Sequence, residues 1–175
     1  MSFRLIYLFS DIMYYMIYYI FAYRKKVVRE NLKLAFPKMS IEERIKIEKK
    51  YYRYLSDIFL ESFKSMNISE NEMKKRYKFK NPELLNRIYN KKQNLILIAG
   101  HYCSWEWVFI LDRFTNYKIN AIYKKLSNNY FDKWAKKNRS KYNGNLIQTN
   151  NTYREIREKS KKSELNLYGF ASDQS

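Results

Sequence analysis

Apolar and polar positions alternate with three different rhythms along this chain. Residues 3–23 (FRLIYLFSDIMYYMIYYIFAY) are apolar on almost every side. As a helix that stretch is long enough to cross roughly 30 Å of hydrocarbon. Asp11 near its middle opposes spanning by about 2.5–3.5 kcal/mol, and its tyrosines favour an interface over a bilayer centre. The expected element is a hydrophobic membrane-anchor helix, spanning or interfacial; a buried helix of a globular domain is the competing reading. Residues 24–36 (RKKVVRENLKLAF) predict a basic helix stopped by Pro37. Ser40 and Glu43 form a capping-box pattern. It opens a long helix whose stripe runs through Ile41, Ile45, Glu48, Tyr52, Leu55, Phe59, Ser62 or Phe63, and Met66. Ser69 and Glu72 repeat the cap for a short helix, and 77–80 has the makings of a brief strand.

Beyond residue 80 the rhythm shortens. Asn81-Pro82 opens a helix to about Tyr89. The unbroken run LILIA at 95–99 predicts a strand buried on both faces. A helix over 104–114, a strand over 119–123, and a helix from Asn128 or Asn129 to near Gly144 follow. Strands at 145–149 and 165–171 enclose a polar helix over 151–162. Helices first, then alternating β and α, predict an α/β fold: a helical N-terminal region, with a membrane-associated helix, ahead of an alternating β/α domain. The expected division is an anchor at 1–23 and a domain at 24–175, helical over 24–76 and α/β over 77–175.

Charge narrows the partners. The chain has 175 residues, and 35 Lys and Arg face 17 Asp and Glu, a net charge of +18. Such a balance calls for anionic partners. Lys, Asn, Ile and Tyr are abundant while Gly and Pro are scarce, so base composition is a second source of the Lys excess. Aromatic residues concentrate in the N-terminal stretch, on the long helix and around residue 101, which favours lipid over nucleic acid. No small-residue cleavage site follows the apolar stretch. Arg24, Lys25, Lys26 and Arg29 follow it, against Arg4 before it, so the remainder is expected in the cytoplasm. The single cysteine allows no internal disulfide and fits a reducing compartment.

The chemistry centres on AGHYCSWEW, residues 99–107, which holds the one histidine of the chain. His101 follows the apolar strand, at the end where open α/β sheets hold ligands. Glu106 stands five residues on. Within one helix the two lie about 140° apart and do not touch. With His101 ahead of the helix, the chain can bend them together, and the carboxylate then fixes the ring tautomer and leaves the other nitrogen as a general base. Spacing alone leaves this pair open between a catalytic and a structural role. One His and Cys103 fall short of a zinc set. Ser104 and Cys103 lack the G-x-S-x-G context of a covalent nucleophile. Trp105 and Trp107 read as core or interface anchors.

His101-(x)4-Glu106 resembles the H-x4-D/E signature of glycerolipid-type acyltransferases. The preceding Gly and the Trp-Glu ending narrow the resemblance to the bacterial lipid A biosynthesis (lauroyl/myristoyl) acyltransferases. RKKVVRENLKLAFP (24–37) is similar to the segment after that family's N-terminal membrane helix. AIYKKLSNNYFDKW (121–134) resembles its second block, and GFASDQS (169–175) its Asp-Gln block. The resemblance implies a fatty acyl group moved from acyl carrier protein to a hydroxyl of a lipid A precursor, without an acyl-enzyme and without a cofactor. His101 is then the base and Glu106 its support. Lys124 and Arg139 bind phosphates of the acceptor or of the carrier's phosphopantetheine, and Asp173 and Gln174 contact the acceptor or brace the pair. The implied partners are acyl carrier protein, an anionic lipid acceptor and the inner membrane, with catalysis on its cytoplasmic face and no nucleic acid. Ser104, Cys103 and Lys124 depart from the Asn, Gly and Arg often found there; Lys in place of Arg loses a bidentate fork. The family usually continues past the Asp-Gln block, so further strands and helices are expected beyond residue 175. The alternatives are transfer to another lipid, such as a lysophospholipid or aminolipid, and a non-catalytic basic membrane- or nucleic-acid-binding fragment.

Overall fold

The computed structural model describes residues 2–173, apart from the Trp105 side chain. The chain divides into two compact units, Met1–Lys64 and Ser65–Ser175.

The first unit is helical. Helix α1 (Phe3–Tyr15) runs into a π-helical turn, Met16–Ile20. The chain then turns through Ala22 and Arg24, both at positive φ, into α2 (Lys25–Ala35) and on to α3 (Ile41–Ser65). The cap of α3 is reciprocal: Glu43 N–H donates to Ser40 Oγ at 3.2 Å, and Ser40 N–H donates to Glu43 Oε2 at 2.8 Å. Tyr14, Tyr18 and Tyr52 form the core, packed with Ile17, Val28 and Leu55. The stripe of α3 is only partly covered. Glu48, Tyr52 and Ser56 are buried, whereas Ile41, Phe59 and Phe63 are exposed. Glu48 is buried because Arg29 of α2 donates to it at 2.8 Å.

The second unit is a mixed α/β fold around a four-stranded, wholly parallel sheet. Helices α4 (Glu70–Arg76) and α5 (Pro82–Asn90) precede β1 (Leu95–Ala99). A 3-10 segment, Trp105–Phe114, leads to β2 (Lys118–Tyr123), then α6 (Asn129–Arg139) and β3 (Asn145–Gln148). Helix α7 (Thr152–Ser160) and β4 (Asn166–Ala171) complete it. The spatial order is β1-β4-β2-β3. The register sets Leu95 beside Leu167 and Leu167 beside Ile119. These three share one face of the pleat, where Leu111, Phe114, Leu85 and Tyr89 cover them.

Three local expectations change, and one helix is of a tighter kind. Strand β1 is an edge, and its second face is open: Ile96 is 62% exposed and Ile98 70%. The apolar run therefore overstates burial, because Leu95 and Leu97 alone point into the core. Residues 77–80 are irregular, with Phe79 packed on that core instead of pairing as a strand. Helix α6 ends at Arg139, short of Gly144, and Asn143 turns at positive φ. The segment at 105–114 is 3-10 rather than α; it opens with Trp107 N–H donating to the Ser104 carbonyl at 2.9 Å, a three-residue span. Burial of Glu106, Trp107, Phe109, Ile110 and Leu111 shows that packing on several sides, more than local propensity, holds it.

Candidate active site

A parallel sheet brings the carboxyl ends of all its strands to one edge, and the loops leaving that edge carry the chemistry. His101 follows β1, Asp173 follows β4 and Lys124 follows β2. Because β4 lies between β1 and β2, His101 and Asp173 leave neighbouring strands, while Lys124 leaves one two places from β1, roughly 10 Å away at the strand spacing.

Asp173 grips His101 twice. Its Oδ2 accepts the His101 backbone N–H at 2.7 Å, and its Oδ1 lies 2.8 Å from Nδ1. The backbone N–H, and after it the ring, hold the Asp173 carboxyl below its ordinary range. An ionised carboxylate only accepts, so Nδ1 carries the hydrogen and Nε2 becomes the basic nitrogen. The ring side chain is 35% exposed, so a solute can reach it.

Gly100 leaves room for this grip. A Cβ at Gly100 would stand 3.3 Å from Asp173 Oδ2. The glycine serves the close approach of a carboxylate; the left-handed turn is made instead by Cys103, at φ 56.

Glu106 occupies a different setting. The place expected for it beside the imidazole is taken by Asp173. Glu106 is 6% exposed and faces α6. Arg139 Nη2 donates to its Oε1 at 2.6 Å, Arg139 Nε lies 3.2 Å from both oxygens, and Asn138 Nδ2 donates to Oε2 at 3.4 Å. Ser65 Oγ donates onward to Asn138 Oδ1 at 2.8 Å. A buried carboxylate needs such donors, and this set supplies charge and geometry together. Arg139, expected on a phosphate, has its guanidinium committed to Glu106. Lys124 is exposed on the loop after β2. Gln174 lies outside the described residues.

Asn138 and Ser65 escaped the sequence reading, since a buried Asn on a basic helix and a Ser ending another carry no local signal. The sequence points to Asp173 only together with Gln174, with alternative roles. A cleft lined by Tyr123, Lys136, Asn145, Gln148, Asn151 and Lys159 lies along β3 and includes neither His101 nor Asp173. Among the described residues no group of three His, Cys, Asp or Glu side chains gathers as metal ligands.

A search of curated proteins finds no match to this chain. A family model does match, over residues 2–175, from the N-terminal helices through the loop carrying Asp173. The histidine at the sheet's carboxyl edge thus sits within a match spanning nearly the whole chain, which belongs to the bacterial lipid A biosynthesis acyltransferases.

Proposed function

We propose that this chain transfers a fatty acyl group from acyl carrier protein to a hydroxyl of a lipid A precursor, at the cytoplasmic face of the inner membrane, with His101 as general base and Asp173 as the carboxylate behind it. The observation that carries the reading is the pair of contacts from Asp173 to His101, 2.7 Å to the backbone N–H and 2.8 Å to Nδ1. The Nδ1 contact fixes the tautomer, and the backbone contact holds the same carboxylate in place.

In the proposed step the acceptor hydroxyl attacks the thioester carbonyl while Nε2 takes its proton. The imidazolium formed is balanced by Asp173. The tetrahedral adduct then collapses, the C–S bond breaks, and the proton passes from Nε2 to the departing sulfur. The products are an ester and the free thiol of the carrier. No acyl-enzyme and no cofactor take part. Glu106, held by Arg139 and Asn138, keeps the segment after His101 docked on α6 and so positions the loop. Lys124 offers an exposed cation on the same edge for an acceptor or carrier phosphate. The net charge of +18 suits an acidic carrier protein and an anionic acceptor.

The test is mass spectrometry of lipids after incubation of membranes with the protein and a panel of acyl carrier thioesters. An acylated lipid A species is the expected product; acylated phospholipid alone transfers the reading to another lipid. His101→Ala is expected to lower transfer about 10²–10⁴-fold, the size of a general-base contribution, with thermal unfolding unchanged. Parental activity in that variant would sink the mechanism.

A further inference from the structure

The segment after β1 is held at both ends, and the two ends lie five residues apart. At the first, Asp173 grips His101; at the second, Arg139 and Asn138 enclose Glu106. Little slack lies between them. Tyr102 N–H donates to the Gly100 carbonyl at 2.9 Å, Cys103 turns at positive φ, and Ser104 is buried with its carbonyl bonded to Trp107 N–H. A displacement of Glu106 is therefore passed along to residue 101 instead of being absorbed.

Asn138 holds one of the two Glu106 oxygens with an amide whose ends are unlike. The Glu106 carboxylate, paired with Arg139, only accepts hydrogen bonds, so Asn138 has to present Nδ2 to it and not Oδ1. A reversed amide would set two acceptors against each other among buried groups, which is costly. Ser65 decides the orientation. Its Oγ donates to Asn138 Oδ1 at 2.8 Å, which occupies the acceptor end and leaves the donor end for Glu106. Ser65 is itself buried, and Lys141 fixes the backbone around it: Nζ donates to the Ser65 carbonyl at 3.0 Å and to the Ile68 carbonyl at 2.6 Å. Ser65 closes a helix, where carbonyls lack partners and a cation is favoured. All of these groups belong to the second unit.

We propose that Ser65 and Asn138 are positioning residues for the general base. Ser65 selects the amide orientation of Asn138, Asn138 seats Glu106, and Glu106 sets where the His101 ring stands. Both act through the loop and not on substrate. The proposal rests on His101 being the base, as read above, and adds what places it.

The chain has one histidine, so every imidazole signal belongs to residue 101. NMR of the full chain carrying 15N-labelled histidine, in mildly alkaline buffer, should show one set of ring signals with the hydrogen on Nδ1. Ser65→Ala takes the hydroxyl from Asn138, and Asn138→Asp sets a carboxylate against Glu106; both are expected to split or broaden that set. Asn138→Asp is the harsher change, and if it unfolds the chain Ser65→Ala alone decides. Tyr117→Phe is the control. It deletes a bond of 2.7 Å to the Gln93 carbonyl at the amino end of the sheet, so it should lower the melting temperature and leave the imidazole signals as they are. In transfer assays Ser65→Ala should lower kcat on the order of tenfold with KM unchanged, short of the roughly 10²-fold that a 1 Å misplacement costs. Parent-like imidazole signals in Ser65→Ala, or an equal disturbance from Tyr117→Phe, would overturn the proposal. A parent that transfers no acyl group while its ring answers to Ser65→Ala sinks only the enzymatic reading. Full transfer with an unresponsive ring sinks only this one.

Discussion

Two carboxylates follow the same histidine in the chain, one five residues on and one seventy-two. The nearer, Glu106, is buried and held by Arg139 and Asn138. The farther, Asp173, is 40% exposed in its side chain and holds His101 through both ring and backbone. Proximity along a chain is a poor guide to proximity in a parallel sheet. Strand β4 comes last in sequence and lies directly beside β1, so its loop is the one that meets His101. The exposed pair can exchange a proton with a bound solute. The buried pair cannot readily do so and is suited to holding structure.

The sharpest way to break this contrast is to remove the partner of the buried carboxylate. Arg139→Ala leaves Glu106 enclosed without its main counter-charge and should cost about 3–5 kcal/mol of stability, the usual penalty for half of a buried ion pair. Urea unfolding reads it. A loss of transfer with full stability would show that Arg139 acts on substrate after all. Asp173→Asn should do the opposite. It keeps the shape, lets the ring tautomer reverse, and should lower kcat by up to about 10⁴-fold, the scale seen when the carboxylate behind a general-base His becomes an amide. Unfolding should barely move, because the side chain is exposed.

The same pair sets a pH expectation. The Asp173 carboxyl is held below its ordinary range, first by the His101 backbone N–H. A depressed folded-state value means the bond is fully present above the ordinary Asp range near 3.9. It is lost only as pH falls through the lowered value. Asp173 therefore stays ionised across neutral and mildly acid pH, and a carboxyl NMR titration of the parent protein should show no Asp173 step there. The smallest effect is expected from Gly100→Ala. Its methyl would press on Asp173 Oδ2 at 3.3 Å, so the carboxylate must shift by a few tenths of an ångström. A few-fold loss of kcat with unchanged stability would match a positional fault.

Much of the architecture is legible before folding. Caps at Ser40, Ser69 and Asn128 mark helix starts, and each accepts the backbone N–H groups its side chain can reach. The apolar runs of the second half mark every strand of the sheet. Burial is less legible. LILIA looks equally apolar at all five positions, yet the core cluster covers only the Leu95 and Leu97 side, and Ile96 and Ile98 are exposed. Coverage is a long-range property, decided by where α5 and the 3-10 segment pack, and no local pattern encodes it.

The candidate site divides along the same line. The sequence by itself determined that an imidazole would leave the carboxyl end of a strand, because His101 follows directly on the apolar run that forms β1. It also determined that carboxylates and cations would stand near that edge, since parallel strands bring every loop that follows a strand to it. Only the tertiary structure decided which carboxylate takes the ring and which takes the guanidinium. That choice depends on β4 pairing between β1 and β2 and on α6 presenting Arg139 inward. Hydrogen bonds act over about 3 Å, and only the completed sheet brings residues 101 and 173 within that distance.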